Sequence, residues 1–170
     1  MSTAEANGHD VAEGEVGELH SRTPWCFDGY WKLPEKSAEA FRGPYLSVGD
    51  LARRDAEGYY QLVDRKSNMI ISGGENIYPS EVEAQVGAHP FVKDVAVIGL
   101  PDEKWGERVH AVVVLHDGAP LSEADLLEWS KERLAGYKRP RSYAFIAESE
   151  MPRNATGKVL HRELKKKFSN

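Results

Sequence analysis

The hydrophobic pattern of residues 67–170 predicts several buried strands. Apolar, mostly β-branched runs at 92–100 and 109–115 are typical of strands in a sheet core, and shorter runs at 69–71 and 143–146 predict two more. Residues 72–76 contain two glycines and are predicted to form a turn after the first short strand. The four runs therefore predict one sheet.

Helical patterns separate these strands. Ser80 followed by Glu83 predicts a capping box at the start of one helix, and Ser122 begins a second helix that extends to Leu134. A third helix, basic and amphipathic, follows Lys158. The order β, α, β, β, α, β, α indicates an α+β fold of about a hundred residues, in which helices pack on one mixed sheet.

The first 66 residues have shorter apolar runs and many aromatic side chains. Strands are predicted at 15–19, 45–51 and 59–63. Pro34 suits the first turn of a short helix that ends near Phe41. The aromatic residues need a larger body to pack against, so this part is interpreted as a β-rich strip at the end of a larger domain. Residues 1–14 are small, polar and acidic, and are expected to be disordered.

Composition narrows the class of protein. The chain has 170 residues, 41% of them hydrophobic and 29% charged, with a net charge of −5, which gives no electrostatic reason to expect nucleic acid as a partner. Cys26 is the single cysteine and the histidines are scattered, so neither a disulfide framework nor a metal site is predicted. No apolar run approaches the roughly 18 residues of a membrane span, and a cytoplasmic protein is expected.

Five short stretches stand out by their order and spacing. They are GYWKLPE at 29–35, VGDLA at 48–52, DRKSNMIISGGENIYP at 64–79, YKRP at 137–140 and PRNATGK at 152–158. Together they resemble the C-terminal end of the adenylate-forming enzymes, the superfamily of acyl-CoA synthetases, peptide-synthetase adenylation domains and luciferases. The resemblance implies that 67–170 is a mobile C-terminal lid domain and that 1–66 ends a large N-terminal domain, whose phosphate loop and acyl pocket would lie upstream.

Two residues of the first part are candidates for nucleotide binding. A carboxylate can accept hydrogen bonds from both hydroxyls of a ribose. The resemblance implies that Asp50 holds the ribose of ATP and of the acyl-adenylate, and that Arg65 lies near the same ribose or phosphate. Without the resemblance, Asp50 equally suits a tight turn. Arg65 equally suits a surface ion pair with Asp64 or Glu57.

Lys158 is the candidate catalytic residue. An ammonium group on a long stem can contact carboxylate and phosphate oxygens together, and the resemblance implies that Lys158 does so during adenylate formation. An ordinary solvated loop lysine is the alternative. The string is not a phosphate-binding P-loop, because Val159 follows where serine or threonine is required. Ser67 falls at the hinge position of the family, where aspartate or lysine is usual.

The resemblance also assigns a site for coenzyme A. Its phosphates and adenine suit cations beside an aromatic face, which residues 137–141 and Trp105 could supply. The residues assigned to CoA are Gly73, Gly74, Glu75, Trp105, Tyr137, Lys138 and Arg139. Glu75 and Asn76 are also assigned to the edge of the nucleotide pocket. The alternative is that Trp105 covers a core and that the cations are solvated.

The resemblance implies a C-terminal part of an AMP-forming acyl-CoA ligase. A carboxylic acid and ATP with Mg²⁺ would give an acyl-adenylate, which CoA would then convert to a thioester; the missing N-terminal domain would be a partner. One alternative is an adenylation domain that loads a carrier protein. Another is a nucleotide- or CoA-binding module without catalysis, since residues 1–170 alone are expected not to adenylate. Fatty, aromatic and small acids all remain open as substrates, and the resemblance favours fatty and aryl acids.

Overall fold

A computed structural model describes residues 2–4 and 10–169 of the chain. Contacts within the chain divide it into two compact units, Met1–Ser67 and Asn68–Asn170.

The first unit is built on an antiparallel sheet. Its elements are β1 (Ser2–Ala4), β2 (Val16–Ser21), α1 (Pro34–Ala40), β3 (Phe41–Arg42), β4 (Tyr45–Arg54) and β5 (Tyr60–Arg65). The long strand β4 pairs with β2, β3 and β5, so it organises the whole sheet. Leu51 and Ala52 of β4 and Leu19 of β2 form its small buried core. The strands and the helix predicted from the sequence are confirmed in this unit, with shifted ends.

The N-terminus differs from the sequence prediction. Residues 1–14 are expected to be disordered, yet Ser2–Ala4 form β1, antiparallel to β2 with Thr3 opposite Leu19. Strand β2 would otherwise present one row of unpaired backbone groups, and a polar segment can satisfy them without an apolar side chain. Met1 and residues 5–9 lie outside the described residues.

The second unit contains a mixed sheet with helices. Its elements are β6 (Ile70–Ser72), β7 (Glu75–Ile77), α2 (Pro79–Gly87), β8 (Val92–Asp102), β9 (Gly106–Leu115), α3 (Glu123–Lys131), β10 (Ser142–Phe145) and α4 (His161–Phe168). Strand β9 is central: β8 is antiparallel to it, β10 is parallel to it, and β6 meets it where Ser72 pairs with Gly106. The α+β fold with a mixed sheet is thereby confirmed.

Both faces of β9 are covered, which explains its continuous apolar sequence. Val109, Ala111 and Val113 belong to a core shared with α2 and α3, where Val82 and Leu126 are fully buried. Val112 and Val114 belong to a second core on the opposite face, with Leu164 of α4. A strand buried on both faces does not alternate apolar with polar residues. The unit therefore has three layers, with the sheet in the middle.

One local prediction of the sequence is wrong, and another is right in place but too wide. The capping box of Ser80 and Glu83 does not form, because Pro79, which lacks an N–H and has a preset φ, begins α2 with Tyr78 as N-cap, two residues before the predicted cap. The Glu83 carboxylate instead accepts the N–H of Val97 at 2.8 Å. The predicted turn 72–76 is narrower, because Ser72 and Glu75 pair and leave two glycines as a hairpin turn.

The predicted cap of the next helix is confirmed. Ser122 Oγ accepts the N–H of Asp125 at 3.3 Å, and the Asp125 carboxylate accepts the N–H of Ser122 at 2.9 Å. These reciprocal bonds satisfy two backbone donors at the start of α3. The helix ends at Lys131, three residues before the predicted end at Leu134.

His110 makes the stability of the second unit depend on pH. Its Nδ1 lies 2.7 Å from Ser142 Oγ, while its buried Nε2 has no hydrogen-bond partner among the described residues. Burial, and next the charge of Arg108, lower the pKa of His110 below its ordinary value, against weaker opposing effects of Glu123 and Ser142. The folded protein therefore holds this ring neutral, while the unfolded chain binds a proton once the pH falls to about 6.5.

We therefore expect the free energy of unfolding to decrease as the pH falls from 7.5 to 5.5. This single group contributes a slope of up to about 1.4 kcal/mol per pH unit, because the unfolded state binds more protons. Urea unfolding at each pH measures the slope. His110→Gln should reduce it, whereas His116→Gln, at an exposed position, should leave it unchanged. An unchanged slope in His110→Gln would contradict the assignment.

Candidate functional site

Asp50 and Arg65 face each other on neighbouring strands of the first unit. They are directly paired in the register of β4 and β5, and Arg65 Nε lies 2.8 Å from Asp50 Oδ1. Asp64, the sequence-based alternative, uses its carboxylate to accept the backbone N–H of Arg65 at 2.7 Å. The Asp50 side chain is 22% exposed and Arg65 is 60% exposed, so both keep surface for a ligand. The structure thus brings the two predicted nucleotide-binding residues together.

A cleft of about 600 Å³ adjoins this pair within the same unit. Its lining includes Tyr30, Lys36, Gly49, Arg65, Lys66 and Ser67. The cations of the cleft have partners: Lys66 binds Glu18 at 2.8 Å, and Lys36 Nζ lies 4.6 Å from the centre of the Tyr30 ring. Burial raises the pKa of Glu18, but hydrogen bonds from Lys66 and Ser47 outweigh it and bring the pKa below its ordinary value.

Ser67, the predicted hinge residue, lies in a single turn of 3₁₀-helix, Lys66–Asn68. It is the last residue of the first unit, and Asn68 is the first residue of the second. The turn directly follows Arg65 at the end of β5. The hinge assignment remains a prediction, placed at a point where the chain passes from one unit to the other.

Gly73 and Gly74 form the two-residue turn of the β6–β7 hairpin. Their φ angles are +62° and +86°, the left-handed conformation that this kind of turn requires at both positions. The Gly73 N–H donates to the Trp105 carbonyl at 2.8 Å. A Cβ on Gly73 would lie 2.8 Å from Trp105 Cε3, so only a glycine fits beneath the indole ring. Two of the predicted CoA residues, Gly73 and Trp105, are therefore in contact.

The two glycines provide a matched pair of variants. Gly73→Ala combines a strained backbone with an overlap with Trp105, whereas Gly74→Ala, where nothing lies within 4 Å, has the strained backbone alone. We expect Gly74→Ala to cost about 1 kcal/mol of unfolding free energy and Gly73→Ala about 1–3 kcal/mol more. Urea unfolding measures both. Equal losses would show that the Trp105 contact does not constrain position 73.

Trp105 is held by a short loop and flanked by two cations. The Asp102 carboxylate accepts the N–H groups of Lys104 and Trp105, each at 3.0 Å. Lys104 Nζ lies 4.8 Å from the ring centroid and the Arg141 guanidinium lies 4.5 Å from it. Arg141 ends the cationic run noted in the sequence but was not among the residues assigned to CoA. An aromatic face beside two cations suits a phosphate-bearing purine ligand.

The other members of the predicted CoA cluster have internal partners. Lys138 Nζ lies 2.7 Å from both carboxylate oxygens of Glu81. Burial lowers the pKa of Lys138, but Glu81 outweighs it and raises the pKa above its ordinary value. Arg139 donates to the carbonyls of Leu134 at 2.8 Å and Lys131 at 3.0 Å, near the C-terminus of α3.

Tyr137 and Glu75 keep large exposed surfaces. Arg139, in contrast, uses its guanidinium to bind carbonyls near the C-terminus of α3. Its role in CoA binding stays a prediction. The geometry beside Trp105 favours Arg141 in its place.

Lys158 lies on a small hydrogen-bonded hairpin of the second unit. The N–H of Asn154 donates to the Lys158 carbonyl at 2.9 Å, and Arg153 and Val159 form a backbone bridge. Gly157 has a φ of +82°, which allows the tight turn. The Lys158 side chain is exposed, and its ammonium has no partner in the part of the chain that the structure describes. The amine is thus presented to solvent on a defined backbone.

The described residues contain neither a cluster of metal ligands nor a helix that could span a membrane. Within 2–4 and 10–169, no group of three or more histidine, cysteine, aspartate or glutamate residues is arranged to hold a metal ion. No helix among the same residues is long and apolar enough to cross a membrane.

The sequence of the chain is similar to those of known proteins. The sequence-family model of the AMP-binding enzyme C-terminal domain matches residues 81–158. Feruloyl-CoA synthase of an Amycolatopsis species is 45% identical over 162 residues, which are 95% of this chain and 33% of the relative. The fatty acid–[acyl-carrier-protein] ligase ScoC of Streptomyces coeruleorubidus is 40% identical, with 96% of this chain and 31% of the relative covered.

A solved structure agrees with these relatives. ATP-bound MatB from Rhodopseudomonas palustris superposes with a TM-score of 0.92 at 35% identity, covering 99% of this chain and 33% of that one. Residues 81–158 therefore carry the AMP-binding enzyme C-terminal domain, and the chain corresponds to the C-terminal region of adenylate-forming enzymes. The chain spans about a third of the length of the relatives that it matches.

Proposed function

We propose that this chain is the C-terminal part of an AMP-forming ligase that joins a carboxylic acid to coenzyme A. The main observation behind this proposal is the position of Lys158. Its ammonium is exposed on an ordered hairpin, in the unit that contains the family domain. The similarity to a feruloyl-CoA synthase supports CoA as the acceptor. The remaining parts of the active site would come from an N-terminal domain.

In the first half-reaction, a carboxylate oxygen attacks the α-phosphorus of ATP, and the bond from that phosphorus to the pyrophosphate oxygen breaks. Two anions approach each other in this step, and charge builds on the α-phosphate and bridging oxygens. The Lys158 ammonium would bridge the carboxylate and phosphate oxygens, which stabilises that charge. Asp50 would accept hydrogen bonds from the ribose hydroxyls, and Arg65 would fix the Asp50 carboxylate from the neighbouring strand.

Mg²⁺ would enter with ATP and shield its phosphates. We expect most of its protein ligands to lie in the N-terminal domain. The structure of ATP-bound MatB supports ATP as the nucleotide.

In the second half-reaction, the CoA thiol loses its proton and its sulfur attacks the carbonyl carbon of the acyl-adenylate. The bond from that carbon to the phosphate oxygen breaks, and AMP leaves. Gly73 and Gly74 would line the path of the pantetheine arm, where the missing Cβ atoms leave room. Trp105 and Arg141 would receive the nucleotide end of CoA. A rotation of the second unit about Ser67 would move Lys158 away from the reacting atoms and bring the glycine turn and Trp105 towards them.

The carboxylic acid is selected outside this chain, in the N-terminal domain. Aryl and fatty acids are the substrate classes that we favour, in line with the names of the relatives. We place the protein in the cytoplasm, where ATP and CoA are available.

A carrier protein is the second candidate acceptor. ScoC, a ligase whose name specifies an acyl carrier protein, is 40% identical to this chain. Both acceptors present a pantetheine thiol, but only CoA brings an adenosine phosphate to the Trp105 face. Comparing the rate of transfer to free CoA with the rate to a holo-carrier protein separates the two. Faster transfer to the carrier, unaffected by Trp105→Ala, would favour the second candidate.

A chimera tests the proposed function directly. The matching C-terminal segment of the Amycolatopsis feruloyl-CoA synthase is replaced by this chain, and ATP–pyrophosphate exchange and feruloyl-CoA formation are measured. We expect both activities in the chimera and neither in the isolated 170-residue chain. A folded chimera that binds ATP yet performs neither half-reaction would contradict the proposal.

A further inference from the structure

The peptide unit between Gly157 and Lys158 is held at both of its polar atoms. Its carbonyl oxygen accepts a hydrogen bond from Arg153 Nη1 at 2.6 Å. Its N–H, which belongs to Lys158, donates to Asn154 Oδ1 at 2.9 Å. The orientation of this peptide plane sets the direction in which the Lys158 side chain leaves the backbone.

Arg153 also connects the hairpin to the sheet. Its Nη2 donates to Asp94 Oδ2, on strand β8, while Asp94 Oδ1 accepts the N–H of Val95 at 2.9 Å. The planar guanidinium can hold both partners at once, because its donors are fixed in a fork. Asp94 and Arg153 are 59 residues apart in the sequence, and their side chains are 27% and 39% exposed. A partly covered ion pair thus fixes the hairpin relative to β8.

From this arrangement we propose that Arg153 is a positioning residue for Lys158: with Asp94 it orients the Gly157–Lys158 peptide so that the ammonium is aimed at the reacting oxygens. This inference rests on the proposed role of Lys158 in adenylate formation. A small displacement of a catalytic group is enough to matter, since about 1 Å of misplacement can cost roughly a hundredfold in rate. Lys158 itself stays intact in Arg153 variants, so substrate binding is preserved while the chemical step slows.

The two half-reactions provide the first test, in the complete ligase. Arg153→Ala is expected to lower kcat for adenylate formation by about ten- to a hundredfold with little change in KM for ATP. Thioester formation from synthetic acyl-adenylate should stay within about twofold, because that step does not use Lys158. Arg153→Lys keeps the charge but loses the forked donors of the guanidinium, so the rate should lie between those of the unaltered protein and Arg153→Ala. Asp94→Asn retains the shape and should give a smaller loss of the same kind.

A double-mutant cycle separates positioning from general structural support. In the Lys158→Ala background, Arg153→Ala should cause no further loss of adenylation, because the group that it positions is already gone. Arg162→Ala, an exposed arginine of α4, is the matched control and should leave both half-reactions unchanged. Thermal unfolding of each variant checks that the protein remains folded.

Three results would overturn the inference. Full adenylation activity in a folded Arg153→Ala variant, with Lys158→Ala still selectively inactive, would refute the positioning role and leave the proposed function intact. A further loss on adding Arg153→Ala to Lys158→Ala would show that Arg153 acts independently of the lysine. If Lys158→Ala itself had no selective effect on adenylation, the proposed function and the inference would both fail. Should Arg153→Ala not fold, Asp94→Asn and Arg153→Lys carry the same comparison.

Discussion

Lys158→Ala should lower the rate of adenylate formation roughly a hundred- to thousandfold in the complete ligase that we propose, while thioester formation from synthetic acyl-adenylate continues at nearly the normal rate. The ammonium is exposed and unpartnered within the described residues, so its whole charge is available to a ligand. In a closed site without water, one such charge is worth several kcal/mol, or roughly a hundred- to thousandfold in rate. ATP–pyrophosphate exchange measures the first half-reaction, and release of AMP from acyl-adenylate on addition of CoA measures the second.

Lys166→Ala is the matched control for this experiment. Lys166 is an exposed lysine of α4, eight residues after Lys158, and its removal changes the net charge equally. Both half-reactions should survive that change. Equal loss of the two half-reactions in Lys158→Ala would show that the lysine supports the fold or the binding of a shared group rather than the attack on ATP.

Asp50→Ala should weaken both half-reactions, in contrast to Lys158→Ala. ATP and acyl-adenylate share the ribose, and two hydrogen bonds to a charged acceptor are each worth about 1.5–3 kcal/mol, so we expect a loss of at least about a hundredfold in kcat/KM. Asp50→Asn keeps the shape but exchanges one acceptor for a donor, and should lose less. Steady-state kinetics with ATP, and separately with synthetic acyl-adenylate, give the two values.

The competing explanation for Asp50 is a purely structural ion pair with Arg65. In that case Asp50→Ala would lower the midpoint of urea unfolding and leave the KM for ATP unchanged in the protein that remains folded. Glu57→Gln, which alters an exposed carboxylate of the same unit, controls for the change in charge. Kinetic loss without a large loss of stability would support the ribose contact.

Much of the second unit could be predicted from local sequence. The runs 92–100 and 109–115 are confirmed as β8 and β9 because strands buried on both faces need long apolar stretches. The Ser122 cap is confirmed because its partner Asp125 lies only three residues away. The contact of Gly73 with Trp105 fits the expectation that glycines permit close approach, although the sequence did not say which side chain would approach.

Long-range partners could not be predicted in the same way. Glu83 fits the pattern of a capping box, but Val97 on β8 provides its donor instead. The bond between Arg153 and Asp94 joins residues that only the folded sheet brings together. Each of these choices depends on tertiary neighbours, which a local pattern does not contain.

The Asn154 side chain closes the hairpin around Lys158 with bonds that span no more than four residues. Once its backbone is fixed in this way, the four methylene groups of the lysine are the remaining adjustable part. The length of the lysine side chain, and not movement of the loop, then sets how far the ammonium can extend. A side chain shorter by one methylene, such as ornithine, would keep the same charge and fall short of the oxygens that lysine touches.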